Sequence, residues 1–442
     1  DVSKAFYDQE SLGNKKFKGE TYTIYQNASL KLIEVTLEQD SKKQVAAESL
    51  VAWYEEFPKA SNADLALNNA SAYFYSEGSR KQAMETRLLL LENFPKSKFY
   101  NGQVALLGYD YESMADSKAA ADQYEKLFTL EKTHENAPDA LYSAALFRSA
   151  MGEWETAVDD YQKYITAYPD RENVQQVQLE IGMLYEKNEQ LEQAAKVYQQ
   201  YFTAKDPQGV SADELMYARL HYGLALTEMG QSSKASKHYE DSIKWFQDAK
   251  AAGVEMTLGV EFGAQMMFIL AQDDFDAYMK MKISGPSGRV SRRQEDKMLG
   301  DNLLKKVRTL KEIESLYAAI VGTGAGEWGL AALVNLGMAY ENFADSMVNS
   351  YVPSYLTADQ GEFYKMDLEA SAYQQEEKAV EAYSVALGKS YELNLYNDKL
   401  AFATRRLGEL RPEQFPGLEE TLMEPNFTSA SGKATQSFVD NL

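Results

Sequence analysis

The chain has 442 residues, no cysteine and a formal net charge of −22. The lack of cysteine excludes disulfides, thiol catalysis and cysteine-based metal sites. The acidic balance argues against sequence-independent binding of nucleic acid and against adhesion to an anionic membrane surface, because both need a surplus of lysine and arginine. No apolar run approaches the ~20 residues of a membrane-spanning helix, so we expect no transmembrane segment and no nucleic-acid partner.

Residues 1–26 are polar and mixed at the start, and we interpret them as an N-terminal lead-in that is irregular or joins a first helix. Helices are then expected over residues 21–39 and 41–57, as a degenerate first repeat ending at Pro58. Proline stops a helix because it lacks an N–H and clashes with the preceding turn. A terminal repeat is expected to be atypical, since its outer face meets water.

A fixed period runs through the first half of the chain. Alanines spaced 37 residues apart stand at Ala46, Ala83, Ala120, Ala157 and Ala194, and Ala235 follows after 41. One helical turn after four of these six, the chain has Tyr124, Tyr161, Tyr198 and Tyr239. A constant period in this range is typical of a repeat array.

The repeat also has an internal pattern. Leu107-Gly108 is followed by Tyr111, and Ile181-Gly182 by Tyr185. With glycines at the expected inter-helix turn (Gly78, Gly152 and Gly230), this stretch resembles the tetratricopeptide repeat. The resemblance implies an all-α fold, in which helix pairs stack into a right-handed superhelix. Arg87 departs from it, since it stands where tyrosine is expected.

We predict about six repeats over residues 27–248. After the first, they lie at about 64–100, 101–137, 138–174, 175–211 and 212–248. The usual period is 34 residues, so about three extra residues in each repeat are expected to lengthen the connections. The small residues on both helices are interpreted as packing sites, with the tyrosines filling the space between layers.

Residues 249–423 lose the strict phase and are predicted to form an irregular helical region. An apolar, methionine-rich helix over 260–281 is expected to be buried core, and a turn follows at 285–288. A long helix is expected from Arg292 to Val321, with a last helix over 398–410. The basic residues of the long helix are interpreted as a solvated face: Lys297, Lys305, Lys306, Arg308 and Lys311.

Gly324 to Gly329 matches the G-x-G-x-x-G pattern of dinucleotide-binding folds. That pattern needs a preceding strand, whereas a helix is expected here, so we interpret the glycines as a boundary between helices. Leu336-Gly337 with Tyr340 then restores the first-helix pattern, and a second helix is expected at 376–389. An insertion of about 25 residues is predicted between the two.

The tail over residues 424–442 is polar and aperiodic. Ordering its backbone costs about 1–2 kcal/mol per residue, which contacts must offset. We therefore expect it to lie along a surface through its apolar residues, Phe427, Phe438, Val439 and Leu442.

The C-terminal third resembles a narrower group of proteins. The matching segments are 278–286 (YMKMKISGP), 326–347, 352–365, 376–383 and 391–416. They look like the C-terminal region of periplasmic tetratricopeptide-repeat proteins, often lipoproteins, from deltaproteobacteria and related Gram-negative bacteria. Some of that group are assigned to gliding motility and to Tol-like envelope complexes. The resemblance implies a periplasmic location and partners in an envelope complex, with outer-membrane association through partners or through a lipid anchor outside this sequence.

The sequence offers no constellation for catalysis, a cofactor or a metal. Its three histidines, His134, His221 and His238, have no partner at metal-ligand spacing and are interpreted as surface residues. The adjacent carboxylates Asp159 and Asp160 point in different directions on a helix. We therefore expect a protein that is not an enzyme.

A protein–protein interaction scaffold is the function that these observations favour. The first helices of a tetratricopeptide array line a concave groove, and family geometry places seven residues on it: Asn68, Tyr75, Tyr109, Tyr142, Met183, Glu186 and Tyr217. Such a wall can hold an extended peptide or a partner helix. The alternative is an accessory protein for peptidoglycan or polysaccharide assembly, because tyrosine-rich grooves can stack sugars.

Overall fold

The computed structural model describes residues 15–40, 42–204 and 209–416, and all regular structure within these ranges is helical. The predicted all-α, tetratricopeptide-type fold is confirmed. The chain divides into two compact units, Asp1–Ala235 and Ser236–Leu442. The tail over 424–442 and its four expected anchors lie outside the described residues. No helix in the described ranges is both long and apolar enough to cross a membrane.

The first unit is a series of helix hairpins. Its helices are α1 (Lys15–Asp40), α2 (Lys43–Glu56), α3 (Ala63–Ser76), α4 (Arg80–Asn93), α5 (Tyr100–Ser113), α6 (Ser117–Leu130), α7 (Ala137–Ala150), α8 (Trp154–Ala167), α9 (Val174–Lys187), α10 (Leu191–Thr203) and α11 (Ala212–Glu228). The helices α3, α5, α7 and α9 begin 37 residues apart, which confirms the predicted period. Helix α1 begins at Lys15, so the second half of the expected lead-in is helical.

The turn inside each hairpin is set by one residue with left-handed backbone geometry. That residue is Gly78, Ala115, Gly152 and Glu189 in successive repeats, with φ of 80°, 59°, 81° and 58°. The following N–H bonds back to the first helix, as in Ser79 N–H to Phe74 O at 2.9 Å. This pairing is the Schellman motif, which satisfies carbonyls that the helix end leaves open.

Small residues let the two helices of a hairpin approach each other. Ala83, Ala120, Ala157 and Ala194 all have 0% exposure, so the predicted packing role of the periodic alanines is confirmed. On the first helix, a β-carbon at Gly182 would lie 2.7 Å from Cε1 of Tyr198. The tyrosine ring therefore occupies the volume that the glycine leaves open.

The second unit contains most of α12 (Ser232–Ala251) and five further helices. These are α13 (Leu258–Met279), α14 (Arg292–Val321), α15 (Glu327–Val348), α16 (Ala358–Leu393) and α17 (Asp398–Leu410). The predicted bounds of α14 and α17 are confirmed, and α13 contributes Ala264, Phe268 and Phe275 to the core as expected. The repeat pattern returns in α15 and α16, where Gly337 faces the ring of Tyr383.

The glycine-rich segment runs from the turn after α14 into the first turn of α15, so its interpretation as a helix boundary is confirmed. Gly324 has a φ of +86°, and this left-handed conformation lies in the turn between α14 and α15. At the start of α15, the N–H of Gly326 donates to the carboxylate of Glu261. The chain's own carboxylate thus takes a donor that a phosphate would use in a dinucleotide-binding turn.

Two expectations for this unit were wrong. The predicted insertion is mostly helix, because α16 begins at Ala358 rather than at residue 376. Thr357 and Gln360 cap its N-terminus reciprocally, with hydrogen bonds of 3.1 and 3.3 Å. Lys306 is not on a solvated face: it is 1% exposed, because α13 and α15 pack on that side of α14.

Candidate partner-binding groove

All seven residues predicted for the groove lie on the first helices of the hairpins. Asn68 and Tyr75 lie on α3, Tyr109 on α5, Tyr142 on α7, Met183 and Glu186 on α9, and Tyr217 on α11. The structure does not gather them into one pocket. It links most of them to residues of the neighbouring repeat, so they form a ladder of contacts between successive first helices.

The ladder begins between α3 and α5. Gln103 donates from Nε2 to Oδ1 of Asn68 at 2.9 Å. Tyr75 contacts Tyr109, with ring centroids 6.4 Å apart, and the guanidinium of Arg80 lies 3.7 Å from the centroid of Tyr75. Asn68 and Tyr75 are therefore partly buried in contacts between repeats, while Tyr109 is 48% exposed.

Tyr142 is also tied to the next repeat. Its hydroxyl donates to Oε1 of Glu180 on α9 at 3.2 Å. Burial, together with the nearby charge of Glu180, raises the pKa of Tyr142 to about 12. The ring lies 5.8 Å from that of Tyr161, so Tyr142 packs into its own hairpin as well.

Glu186 is the centre of the last rung, between α9 and α11. It accepts hydrogen bonds from Tyr198 at 2.6 Å and pairs with Nδ1 of His221 at 2.8 Å. Burial alone would raise the pKa of Glu186, but the hydrogen bonds from His221 and Tyr198 hold it below its ordinary value. Tyr217 stacks on His221, with ring centroids 3.9 Å apart.

The interpretation of His221 as a surface residue is therefore only partly right. Its side chain is 21% exposed and bridges two repeats through Glu186. Sequence reasoning also missed Gln103 and Glu180. The available signal was register: Glu180 and His221 lie on the first helices directly after those of their partners. Hydrogen-bonding partners on stacked helices need that arrangement.

Exposed apolar side chains at one repeat position form what we call the apolar ridge, namely Ala72, Tyr109, Leu146 and Met183. They are 37 residues apart, one on each first helix from α3 to α9. Tyr109, Leu146 and Met183 are 48%, 47% and 41% exposed. Since equivalent positions of stacked repeats face the same way, these side chains lie along one face. Leu146 was absent from the predicted set, although adding one period to Tyr109 finds it.

A cleft opens beside the ridge between α5 and α7. Its volume is about 310 Å³, and Leu106, Tyr109, Ala140 and Ser143 contribute to its lining. Leu106 is 40% exposed, and Asp139 brings a carboxylate to the rim. The exposed apolar side chains of its lining suit an apolar group, and the carboxylate of Asp139 pairs with Arg171 at 3.1 Å.

Comparison with known proteins identifies the repeat. Residues 139–171 match the tetratricopeptide-repeat family. The matched segment covers most of α7 and all of α8, one hairpin of the array. With the repeated hairpin geometry, this match supports a tetratricopeptide-repeat protein. The search of curated proteins gave no match.

Several solved structures are similar to parts of the chain. MamA from Desulfovibrio magneticus is 17% identical over 42% of this chain and 96% of its own, with a TM-score of 0.27. A tetratricopeptide repeat protein from Parabacteroides merdae is 12% identical over 70% and 98%, with a TM-score of 0.29. BtubC from P. vanneervenii is 14% identical over 54% and 93%, with a TM-score of 0.28.

A larger depression, of about 910 Å³, lies by the second helices α6 and α8 of the tetratricopeptide array. Its wall includes Lys163, whose ammonium lies 2.7, 2.7 and 3.2 Å from Glu125, Asp159 and Asp160. Oxygens of these three carboxylates lie within 4.8 Å of one another, a spacing that could suit a metal ion. The Lys163 ammonium occupies the place of a cation, so the cluster is an internal ion-pair network.

Proposed function

We propose that this chain is a non-enzymatic scaffold that binds a partner protein along the apolar ridge of its repeat array. The observation that carries the proposal is the recurrence of an exposed apolar side chain at one position of four successive repeats. Tyr109, Leu146 and Met183 leave large apolar areas in water. A row of exposed apolar side chains is a common form of protein-binding surface.

The chemistry of the groove defines the partner that fits it. The cleft by Leu106 and Tyr109 suits an apolar side chain. The carboxylate of Asp139 in its lining pairs with Arg171 at 3.1 Å but is 77% exposed, so it can also contact a lysine or arginine of a partner. Glu112 is exposed on α5 and adds to the negative charge. We therefore expect the bound segment to combine apolar anchors with basic residues, as an extended peptide or as a helix.

The glycan-binding alternative rested on a tyrosine-rich groove. Of the four predicted groove tyrosines, Tyr75, Tyr142 and Tyr217 are partly buried in contacts with other repeats, and Tyr109 is the exposed one. A single exposed ring is a poor platform for a polysaccharide, which stacks on several. A protein partner is therefore the function that we favour.

The test is an affinity purification. The full chain is immobilised on a resin and incubated with an extract of its native host, and the bound proteins are quantified by mass spectrometry. The double variant Leu146→Ser and Met183→Ser should reduce the retained partner by at least about tenfold, because it removes two central anchors. Leu88→Ser is the matched control, since Leu88 is 40% exposed but lies on the second helix α4. Equal retention by the double variant and the wild type would contradict the proposal, as would elution of glycan in place of protein.

We also propose a periplasmic location within an envelope complex, involved in motility or in a Tol-like assembly. The support is the resemblance of residues 276–416 to the C-terminal region of periplasmic tetratricopeptide-repeat proteins. Fractionation of the native host, with detection of the chain by antibody, tests the location. Recovery with cytoplasmic markers would contradict it, whereas recovery with periplasmic or outer-membrane markers is expected.

A further inference from the structure

The first half of α16 packs on the core with one face and exposes the opposite face. Its N-terminus is capped by Thr357, and Gly361 is buried next to Val352. Leu368 and Ala372 pack on the core of residues 236–442. These contacts all lie on one side of the helix, which leaves the opposite side for solvent or for a partner.

That opposite side carries an apolar row, which we call the α16 stripe: Phe363, Met366, Ala370 and Tyr373. Phe363, Met366 and Tyr373 are 67%, 61% and 57% exposed, and Ala370 is exposed as well. Their spacing of i, i+3, i+7 and i+10 places them along one line on a helix. It is the seam spacing of helices that pack side by side.

The borders of the stripe are acidic. Helical spacing places Asp359 and Glu377 at its two ends, Glu362 and Glu369 along one side, and Asp367 along the other. Glu377 is also paired with Arg411, whose guanidinium lies 5.4 Å from the ring centroid of Tyr373, so the C-terminal end of the stripe already holds one cation of the chain itself. Lys365, the basic residue within this part of α16, is two positions from Phe363 and therefore faces away from the stripe.

We propose that the α16 stripe binds an amphipathic helix of a partner protein whose apolar seam is flanked by lysine or arginine. The seam would pack against Phe363, Met366 and Tyr373, and the basic flanks would face the acidic borders. A second copy of this chain fits poorly, because it would bring like charges together around the seam. An anionic membrane surface is disfavoured for the same reason.

This surface is distinct from the one in the proposed function. The apolar ridge lies in residues 1–235, whereas the stripe lies in residues 236–442. A chain with both surfaces would hold two partner segments at once, which is what a scaffold requires. The variants that test the two surfaces do not overlap, so either proposal can fail while the other stands.

The experiment measures binding of designed peptides to the full chain by fluorescence anisotropy. The probe is a helical peptide of about 18 residues with leucines at the seam spacing and lysines on both flanks. An analogue with glutamate on the flanks is the charge control. We expect the lysine peptide to bind, with an affinity that falls as salt is added, and the glutamate peptide to bind at least about tenfold more weakly.

Variants locate the binding site. Phe363→Ser with Met366→Ser should weaken binding of the lysine peptide at least about tenfold, and because both side chains are exposed the fold should be kept. Leu304→Ser is the matched control, since Leu304 is 64% exposed on α14. The proposal is overturned if the lysine peptide does not bind, if the glutamate analogue binds equally, or if Leu304→Ser weakens binding as much. It is also overturned if ultracentrifugation shows a dimer that the double variant dissociates, or if the stripe binds anionic vesicles.

Discussion

A β-carbon on Gly108 would lie 2.5 Å from Cε1 of Tyr124. The tyrosine ring is fixed from its other end, because its hydroxyl donates to Glu112 on the same helix as the glycine. The same arrangement recurs at Gly182 with Tyr198 and at Gly337 with Tyr383. In each of these three hairpins a glycine, a tyrosine and a glutamate hold the first helix against the second.

Replacing Gly108 with alanine should therefore destabilise the protein. The added methyl group overlaps a ring that cannot move away without losing its hydrogen bond, and the expected cost is about 1–3 kcal/mol. Gly102→Ala is the control on the same helix, because nothing lies within 4 Å of a β-carbon there. Urea denaturation followed by circular dichroism measures both. If Gly108→Ala unfolds at the same midpoint as the wild type, the ring is not confined as described.

Substitutions at the left-handed turn residues should instead raise the stability of the fold. Ala115 and Glu189 adopt φ of 59° and 58°, where a β-carbon is strained by about 1–2 kcal/mol. Glycine removes the strain but adds chain entropy to the unfolded state. We expect Ala115→Gly and Glu189→Gly each to stabilise the fold by about 0.5–1 kcal/mol, measured as a rise in Tm.

Gly152→Ala is the reciprocal control for these turns. Gly152 has a φ of 81° and open space around the position of a β-carbon, so strain alone should lower its Tm. A loss of stability in Ala115→Gly or Glu189→Gly would show that the turn does not need left-handed geometry at those positions.

The sequence predicted the framework because the framework is periodic. Helix bounds follow the 37-residue repeat, since the same glycines, alanines and tyrosines do the same packing in each hairpin. The helix over 358–375 was missed for a physical reason. Apolar residues lie on two opposite faces of it, the buried face with Leu368 and Ala372 and the exposed α16 stripe, so the segment does not show the single apolar face of an amphipathic helix.

Arg87 departs from the repeat pattern, and its contacts could not be predicted from the period alone. Arg87 takes the position of the tyrosine and is 1% exposed, and its guanidinium pairs with Asp110 on α5. Burial raises the pKa of Asp110 in spite of the hydrogen bond from Arg87. One repeat later the two positions hold Tyr124 and Phe147, which stack with ring centroids 6.4 Å apart. The chain therefore offers its own apolar replacement for the ion pair.

Arg87→Tyr alone should cost about 3–5 kcal/mol, because it leaves the Asp110 carboxylate buried without its partner. The double variant Arg87→Tyr with Asp110→Phe should recover most of that loss, since replacing a buried pair with apolar residues is often neutral or stabilising. Thermal unfolding measures the cycle. The exposed pair Lys81 and Glu85 is the control, and Lys81→Met should change stability by less than about 1 kcal/mol. A double variant no better than the single one would contradict this account.

For the predicted groove residues, the helix on which each lies follows the repeat, whereas its exposure depends on local contacts. All seven predicted residues lie on first helices, as the repeat register requires. Their exposure was not predictable from one repeat, because it depends on the partner that the next repeat supplies. Glu180 covers Tyr142, and His221 covers Glu186, while Met183 is left 41% exposed. Whether these residues bind a partner stays a prediction.

Lys306 is a buried basic residue whose burial the sequence did not predict. Its ammonium donates to the carbonyl of Met281 at 2.7 Å and to Oδ1 of Asn342 at 2.6 Å. It lies 4.5 Å from the ring centroid of Tyr278, and no carboxylate of the described residues forms an ion pair with it. Burial lowers the pKa of Lys306 from 10.5 to about 8.

This pKa makes stability depend on pH in a defined window. Between pH 8 and 10.5 the unfolded chain keeps a proton on Lys306 that the folded chain has released. The unfolded state binds more protons there, so the contribution of this group to stability rises with pH. Lys306→Met removes the dependence. The free energy of unfolding of the variant minus that of the wild type should therefore fall by about 2 kcal/mol between pH 7.5 and pH 10.

Urea denaturation at four or five pH values in that range measures the difference. Subtracting the wild type from the variant cancels the tyrosines and other groups that titrate in both proteins. Lys305→Met is the matched control, because Lys305 is the exposed neighbour of Lys306 on α14 and its removal leaves the buried ammonium in place. A difference for Lys306→Met that does not change with pH would mean that the Lys306 ammonium keeps its charge at no cost, held by Met281, Asn342 and Tyr278 as well as it is by water.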